Sequence, residues 1–329
     1  MKKLLLISAL SVMMFPAVSQ IVLTGKTINS KDGTAIPFVN IGILNSDVGT
    51  ISDEDGSFLI KITKQHATSS LYFSALGYKK LSLSIDSLKK VQFLEVAFEE
   101  DVTQLKPVTV TGKKFRRKFL FGNDTSEGGT VYADTVTAGS SIAVLIDNNL
   151  DPYNLKYPKF EFPALVENVA VRVAKNTFKE FRLRVRLYAV DPVTGLPGDD
   201  LLNKSIVAAS NIKKGWLEID LLNHFITVNG PFYLGFEWIL EKKDRQYLHE
   251  QYSSWRARHP ELVTVEYANV DGEEIPYVNY NAYFWAGTSL GIAVSPKYLE
   301  QFKCYYRYSS FSVWTRSSSI LAATVRLSN

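Results

Sequence analysis

Short segments in which apolar and polar residues alternate recur along most of this chain of 329 residues. Val39, Ile41 and Ile43, for example, share one side of such a segment. Alternation with a period of two is typical of β-strands, because successive side chains of a strand point to opposite faces of the sheet. Only residues 244–258 hint at a helix. The sequence therefore predicts an all-β protein.

Residues 20–100 are predicted to form a first, small domain. The alternating segments of this region are short, and polar turns such as residues 53–56 separate them. We count seven such segments, and none of the intervening sequence has helical periodicity. Many short strands joined by turns indicate a small antiparallel sandwich.

Four motifs of this region occur in a characteristic order. They are Gly25 with Lys26, DGT with IPFVNI in residues 32–41, GT with DEDGSF in residues 49–58, and FSALGY at residues 73–78. Together they resemble the carboxypeptidase regulatory-like domain, a transthyretin-like fold frequent at the start of exported proteins of Bacteroidetes type. The resemblance covers nearly all of residues 21–98. It implies no peptidase activity, because the family is named after a non-catalytic domain appended to carboxypeptidases.

The amino-terminal end, residues 1–19, is predicted to be a secretory signal peptide. Lys2 and Lys3 precede an apolar run, residues 4–15, and small residues precede the expected cleavage after Ser19. The run is shorter than the roughly 20 residues that a membrane-spanning helix needs. We therefore expect an exported protein without a transmembrane segment, in the periplasm or associated with the outer membrane or cell surface.

The rest of the chain is predicted to contain a linker, residues 101–126, and a larger jelly-roll-like β-sandwich, residues 127–329. The linker includes a basic run, residues 113–118, that we interpret as solvated. Residues 181–190 and 232–240 alternate over greater lengths than any segment of the first domain, which favours a larger sandwich. This second domain loosely resembles the jelly-roll modules of carbohydrate-binding proteins.

The composition restricts the chemistry that the protein performs. A net charge of +4 is too small to indicate a nucleic-acid partner. One cysteine and four histidines disfavour a disulfide or a metal centre, and no cofactor is expected. The cysteine, Cys304, is predicted to be a small buried side chain. Whether calcium binds near Asp53 and Asp55 stays open, although the segment does not fit the EF-hand pattern.

Two possible catalytic arrangements are disfavoured. The G-x-S-x-G pattern at residues 287–291 is not followed by a helix, and no histidine occurs after His259, so it does not fit a hydrolase nucleophile. Glu218 and Glu237 are candidate carboxylates for glycoside hydrolysis. A charged residue on the outward face of a strand is nevertheless ordinary. We therefore predict that the protein is not an enzyme.

Aromatic residues are concentrated between residues 247 and 285, together with arginine and asparagine. Aromatic faces beside hydrogen-bond donors suit sugar rings. The candidate ligand-binding residues are Trp255, Arg256, Tyr277, Tyr280, Tyr283 and Trp285. The alternative is that these rings cover the ends of the sheets.

Arg182, Arg184 and Arg186 are predicted to form a row on one face of a strand. They would pair with carboxylates such as Glu237 on a neighbouring strand, or bind an anionic ligand. Structural pairing is favoured.

The sequence favours a non-catalytic exported envelope protein that acts as an interaction, scaffold or accessory module. The alternative is a carbohydrate-binding protein that uses the aromatic loops of its second sandwich. The expected partner is an envelope protein or a glycan, and the oligomeric state stays open.

Overall fold

A computed structural model of the chain describes residues 21–101, 118–124, 128–132, 139–147, 161–262, 265–270, 273–278, 284–293 and 302–329. Strands make up 51% and helices 12% of the structure, so the predicted all-β class is confirmed. The predicted signal peptide and most of the predicted linker lie outside the described residues. Among the residues that are described, no helix is both long enough and apolar enough to span a bilayer.

The first domain is a sandwich of two small sheets. Its elements are β1 Ile21–Asn29, β2 Asn40–Ile43, β3 Gly49–Ile51, β4 Ser57–Ile62, β5 Ser70–Ser74, β6 Leu81–Ser84, α1 Ile85–Leu88 and β7 Leu94–Phe98. One sheet has the strand order β4-β1-β7 and the other β3-β2-β5-β6. Val39, Ile41 and Ile43, which the alternation placed on one face, are buried in the core of this domain. The predicted seven strands are present.

One pair of strands departs from the predicted antiparallel arrangement. Strand β7 runs parallel to β1, with Gly25 opposite Leu94 and Asn29 opposite Phe98. Parallel neighbours need a crossover connection. The chain supplies one, because it passes through the β3-β2-β5-β6 sheet before it returns to the first sheet as β7.

The second domain is a larger sandwich. Its elements are β8 Lys118–Gly122, β9 Gly128–Tyr132, β10 Ser141–Ile146, β11 Ala164–Asn176, β12 Phe181–Val190, β13 Pro197–Asp200, β14 Ile206–Ser210, β15 Gly215–Asp220, β16 Thr227–Val228, β17 Phe232–Ile239, α2 Lys242–Arg258, β18 Val265–Val270, β19 Glu273–Val278, β20 Thr288–Ala293, β21 Cys304–Arg307, β22 Thr315–Arg316, β23 Ile320–Leu321 and β24 Ala323–Ser328. Helix α2 starts two residues before the segment in which the sequence hinted at a helix. Strand β8 lies inside the predicted linker but pairs with β24, so it belongs to this sandwich.

Two large sheets enclose the core of the second domain. The seven-stranded sheet has the order β13-β12-β17-β10-β21-β22, with β14 beside β12. The eight-stranded sheet has the order β23-β20-β11-β24-β8, with β15 and β16 beside β11 and β9 beside β20. Leu183 of β12 and Leu234 of β17 belong to the same buried cluster as Val171 of β11 and Val325 of β24. Alternating apolar residues of both sheets thus meet between them, as in other β-sandwiches.

We expect Cys304 to be unreactive in the folded protein. The side chain is buried in this core, and burial raises the pKa of its thiol to about 12, which leaves almost no thiolate. Ellman's reagent at mildly alkaline pH should therefore modify the thiol only after denaturant is added. Rapid modification of the native protein would contradict the predicted burial.

Candidate functional site

The first domain contacts the outer face of the seven-stranded sheet, and we call this contact the junction. Arg184 lies at its centre, on the face of β12 that points away from the sandwich core. Its Nη1 donates to Oδ1 of Asn40 at 2.9 Å, and its Nη2 donates to the carbonyl oxygen of Phe38. Beside these bonds, Ile51 packs on Ile239. An outward face of a sheet is therefore buried at this place.

Glu237 is fully buried beneath the junction and receives three hydrogen bonds. Its Oε2 accepts from Nε of Arg186 at 2.8 Å and from Nη1 of Arg184 at 3.4 Å. Its Oε1 accepts from the hydroxyl of Ser310 at 2.8 Å. The predicted pairing with Glu237 is confirmed for Arg184 and Arg186, since β12 places Arg184 directly opposite Glu237 on β17. Arg182, the third arginine of the row, pairs with Glu180 and Glu241 instead.

The charges of this cluster compensate one another. Burial would raise the pKa of Glu237, but Arg186, Arg184 and Arg307 together outweigh burial and hold the pKa at about 2. Burial also lowers the pKa of Arg184 to about 10 in spite of the nearby carboxylate. Arg186 bonds a second carboxylate, Asp200, at 2.9 Å. At neutral pH both partners of the Arg184–Glu237 pair are therefore charged.

The loop between β2 and β3 forms a second part of the junction, against the turn of residues 309–312. The N–H of Asn45 donates to the carbonyl oxygen of Phe311 at 2.9 Å. The hydroxyls of Ser309 and Ser312 both donate to the carbonyl oxygen of Ser46, at 3.0 and 3.1 Å. These bonds satisfy the backbone groups of the loop with partners from the other domain.

Two glycines allow this close approach. A Cβ atom at Gly49 would lie 2.7 Å from Cβ of Ser309, and one at Gly42 would lie 2.8 Å from the ring of Phe311. Both distances are far below van der Waals contact. Since Gly42 and Gly49 face each other across β2 and β3, the two positions together form a flat surface on which the turn sits.

Two further residues of the first domain hold an unusual backbone conformation at the junction. Phe38 has a φ of 56° and Asn45 a φ of 58°. Such values are uncommon for residues other than glycine and store about 1–3 kcal/mol of strain for a bulky residue. Each of these residues uses a backbone group to bond the second domain, so the strain is located where the domains meet.

The acidic segment considered as a calcium loop is part of the junction instead. Oδ1 of Asp53 accepts from the backbone N–H of Lys242, the first residue of α2, at 2.9 Å, and lies 3.5 Å from Arg245. Burial raises the pKa of Asp53, and these two donors oppose that effect. Asp55 accepts from the backbone and hydroxyl of Ser57. Both carboxylates thus have protein partners, and no metal-binding cluster occurs among the residues described.

An open groove of about 320 Å³ lies at the edge of the junction. We call it the junction groove. Its walls come from the first domain, from the turn after β12, and from the segment between β21 and β22. The lining residues that matter below are Leu44, Asn45, Asp191, Arg307, Phe311, Val313 and Trp314.

Arg307 is held in place on one wall of the junction groove. Its Nη2 donates to the hydroxyl of Tyr188 at 2.9 Å, and its guanidinium lies 4.4 Å from the ring centroid of Trp314. The rings of Tyr188 and Trp314 meet edge to face. On another wall, bonds from Thr194 keep the pKa of Asp191 below its usual value, so this carboxylate is charged at neutral pH.

The predicted aromatic site is not assembled in the part of the chain that is described. Trp255 lies on helix α2, within the segment in which the sequence hinted at a helix, and not on one of the aromatic loops to which the binding site was assigned. Its ring is only 9% exposed and stacks on Tyr252 and His259 on the inner side of α2. The ring is therefore covered by protein and has no face for a sugar.

The other candidate residues are scattered or undescribed. Arg256 is exposed on α2 and does not share the buried position of Trp255. Trp285 is half-buried, with Nζ of Lys175 4.3 Å from its ring centroid. The backbone of Tyr277 lies in β19, and its side chain is outside the described residues, as are Tyr280 and Tyr283. Sequence reasoning did not single out Phe311 and Trp314. Their signal was an aromatic segment next to Arg307.

The candidate catalytic groups have structural roles. Ser289 is buried within β20, and its hydroxyl donates to the carbonyl of Lys175 at 3.4 Å, so it is not on a strand-to-helix turn. Glu218 is exposed on β15 of the eight-stranded sheet, whereas Glu237 is buried in the other sheet. The two carboxylates therefore do not face a common substrate position.

The fold and the junction define a two-domain all-β protein whose domains are bonded through buried charges. Residues 23–110 match the family model of the CarboxypepD_reg-like domain, as the motifs of the first domain predicted. This domain family is non-catalytic. No curated protein sequence matches the chain.

One matching solved structure is the crystal structure of the cysteine protease and lectin-like domains of Cwp84, a surface layer associated protein of Clostridium difficile. It is 9% identical, and the match covers 58% of this chain and 32% of that chain, so this chain spans about a third of that protein's structure. The TM-score is 0.30, too low to support any inference about fold or function.

Replacing Arg184 by methionine should destabilise the protein by about 3–5 kcal/mol, because it removes one partner of a buried ion pair. Asn40 and the carbonyl of Phe38 would also lose their donor. Urea unfolding measures the loss. Lys79→Met is the control, since its pair with Glu99 is exposed and we expect no measurable change. Equal stabilities of the two variants would contradict the role of Arg184.

The stability of the protein should depend on the charge of Glu237. Its folded pKa lies below its ordinary value of 4.5, so its stabilising effect is present above pH 4.5 and is lost as the pH falls toward 2. We expect the free energy of unfolding to fall less steeply over this interval in Glu237→Gln, which starts from a lower value. Parallel curves for the two proteins would show that Glu237 does not contribute this acid sensitivity.

Proposed function

We propose that this protein is an exported, non-catalytic interaction protein of the cell envelope, in which the two sandwiches act as one binding unit. The observation that carries the proposal is the buried Arg184–Glu237 pair, because Arg184 also donates to Asn40 and to the carbonyl of Phe38 in the first domain. Domains that are merely tethered usually share a small, polar and mobile interface. A buried ion pair completed across the junction favours a fixed arrangement.

Three features support export and a non-catalytic role. Residues 1–19 have the order of a signal peptide, with a basic end, an apolar run and small residues. The first domain matches a non-catalytic family whose members are frequent at the start of exported proteins. Ser289, Glu218 and Glu237 are placed where they do not form a catalytic group.

The junction also explains how such a unit would work. A binding surface built from two domains works best when the domains do not move against each other. If they move, binding has to fix their orientation, and the entropy lost in doing so lowers the affinity. The loop between β2 and β3 is bonded to the turn of residues 309–312, and Asp53 is bonded to the start of α2. Contacts at three separate places therefore fix the relative orientation of the domains.

A carbohydrate-binding role is the second candidate. It is supported by the partly exposed ring of Trp285 in the second sandwich. It is not supported by Trp255, whose ring is covered. Binding of an arrayed glycan that is lost in Trp285→Ala would favour this role over the scaffold.

The test uses the full chain, produced in the source bacterium with a carboxy-terminal tag. We expect the protein in the envelope fraction with the mass of residues 20–329, since the leader is removed after Ser19. Treatment of intact cells with a lysine-reactive crosslinker should then yield discrete adducts with envelope proteins. A protein of full mass in the cytoplasm would contradict export, and the absence of any adduct would contradict the interaction role.

Gly49→Ala tests whether both domains are needed as one unit. The added methyl group would collide with Ser309, and we expect it to loosen the junction and to reduce the adducts severalfold. Gly230→Ala is the matched control, since nothing lies within 4 Å of a Cβ atom at that position. Hydrogen exchange of residues 44–48 should rise only in Gly49→Ala. Undiminished adducts in a variant with a loosened junction would show that the domains act separately.

A further inference from the structure

The junction groove is bordered by apolar side chains that the fold leaves uncovered. Leu44 and Val313, on two different walls, are 53% and 61% exposed. Val193, which directly precedes the lining residue Thr194, is 90% exposed. Burying such side chains on binding is favourable, and apolar patches of this kind with polar surroundings mark sites of protein contact.

The groove wall formed by Arg307 and residues 310–314 carries one charged side chain, the guanidinium of Arg307. The other charged lining residue, Asp191, lies on the turn after β12, and its carboxylate already accepts hydrogen bonds from Thr194. Arg307 is bonded through Nε and Nη2, while its Nη1 has no acceptor among the residues that the structure describes. A guanidinium that is fixed in orientation and has a spare donor is well suited to bind a carboxylate.

A sheet edge lies beside the junction groove. Among the residues that the structure describes, strand β22 is at the end of the seven-stranded order and pairs with β21. Both of its residues, Thr315 and Arg316, are exposed, and the chain enters it directly from the groove residues Val313 and Trp314. An exposed edge strand offers backbone donors and acceptors to an added extended segment.

We propose that the junction groove docks an extended peptide segment of a partner protein that carries an apolar residue close to a carboxylate. The peptide backbone pairs with β22, the apolar side chain enters between Leu44, Phe311 and Trp314, and the carboxylate binds Arg307. This proposal rests on the interaction role proposed above, for which it supplies the chemistry of the partner.

Binding at this site requires both domains. Leu44 and Asn45 come from the first domain, whereas the other walls come from the second. A peptide that contacts both would bind only when the junction is closed, and would therefore stabilise the closed state by mass action. Gly49→Ala should accordingly weaken peptide binding although it changes no groove residue.

The experiment is selection of a random twelve-residue peptide display library on residues 20–329, followed by fluorescence titration of the enriched synthetic peptide. We expect enrichment of sequences in which Asp or Glu lies within two positions of an apolar residue. Val313→Asp should weaken binding of the titrated peptide by about tenfold or more, because it replaces an exposed apolar contact of the groove by a carboxylate. The matched control is Val22→Asp, an exposed valine of β1, which should leave the affinity unchanged.

A double exchange tests the contact with Arg307. Arg307→Gln should weaken binding of the acidic peptide. A peptide in which the Asp or Glu is replaced by Asn or Gln should bind the wild type and Arg307→Gln with equal affinity. No enrichment, or an affinity that is the same in Val313→Asp, would overturn the proposal. Binding of an arrayed acidic saccharide that Val313→Asp abolishes, without peptide enrichment, would replace the peptide by a saccharide. If crosslinked adducts persist in Val313→Asp but vanish in Gly49→Ala, the groove proposal fails while the interaction role stands.

Discussion

The carboxylate of Glu237, with no exposure to solvent, is the constraint on which the junction depends. Removing a carboxylate from water costs several kcal/mol, and the cost is offset only by charged donors in good geometry. Arg186 supplies one donor within the same sheet. Arg184 supplies another, and its Nη1 and Nη2 also donate to Asn40 and to the carbonyl of Phe38, whereas its buried Nε has no acceptor among the described residues. The buried carboxylate of Glu237 therefore requires Arg184, and Arg184 in turn bonds to acceptors in the first domain.

The sequence predicted the elements better than it predicted their partners. Alternation gave the seven strands of the first domain and the two faces of β12, and the pairing of Arg184 and Arg186 with Glu237 was anticipated. Alternation alone, however, distinguishes only two faces of a strand and does not say what covers the polar one. All eight residues of β17 are buried, including Glu237, because the first domain and neighbouring rings such as Tyr305 cover the face that the pattern indicates as outward. The parallel placement of β7 was likewise not predictable, since it depends on the path of the chain between sheets.

The candidate site was missed for a related reason. Trp255 and Tyr252 are aromatic residues in a polar segment, which on a loop would be exposed. Helix α2 collects them on one side, where they stack on each other and on Phe284. Conversely, Phe311, Val313 and Trp314 follow strand β21, and they line a groove only because three segments distant in the sequence meet there. Such a site is a property of tertiary structure.

The bond made by Asp53 affects both the folding of the second domain and the exchange of the first domain in evolution. The first N–H of α2 finds its acceptor 189 residues earlier in the chain, so the start of that helix is completed by a domain that leaves the ribosome first. A domain of this kind is often regarded as an exchangeable cassette. An unrelated domain in its place would have to supply the same groups at matching positions. These are the carboxylate of Asp53, the side chain of Asn40, the carbonyl of Phe38, and glycines where Gly42 and Gly49 lie. The first sandwich is therefore not freely exchangeable. A substitution at a junction residue of one domain constrains which residues the other domain tolerates at the junction.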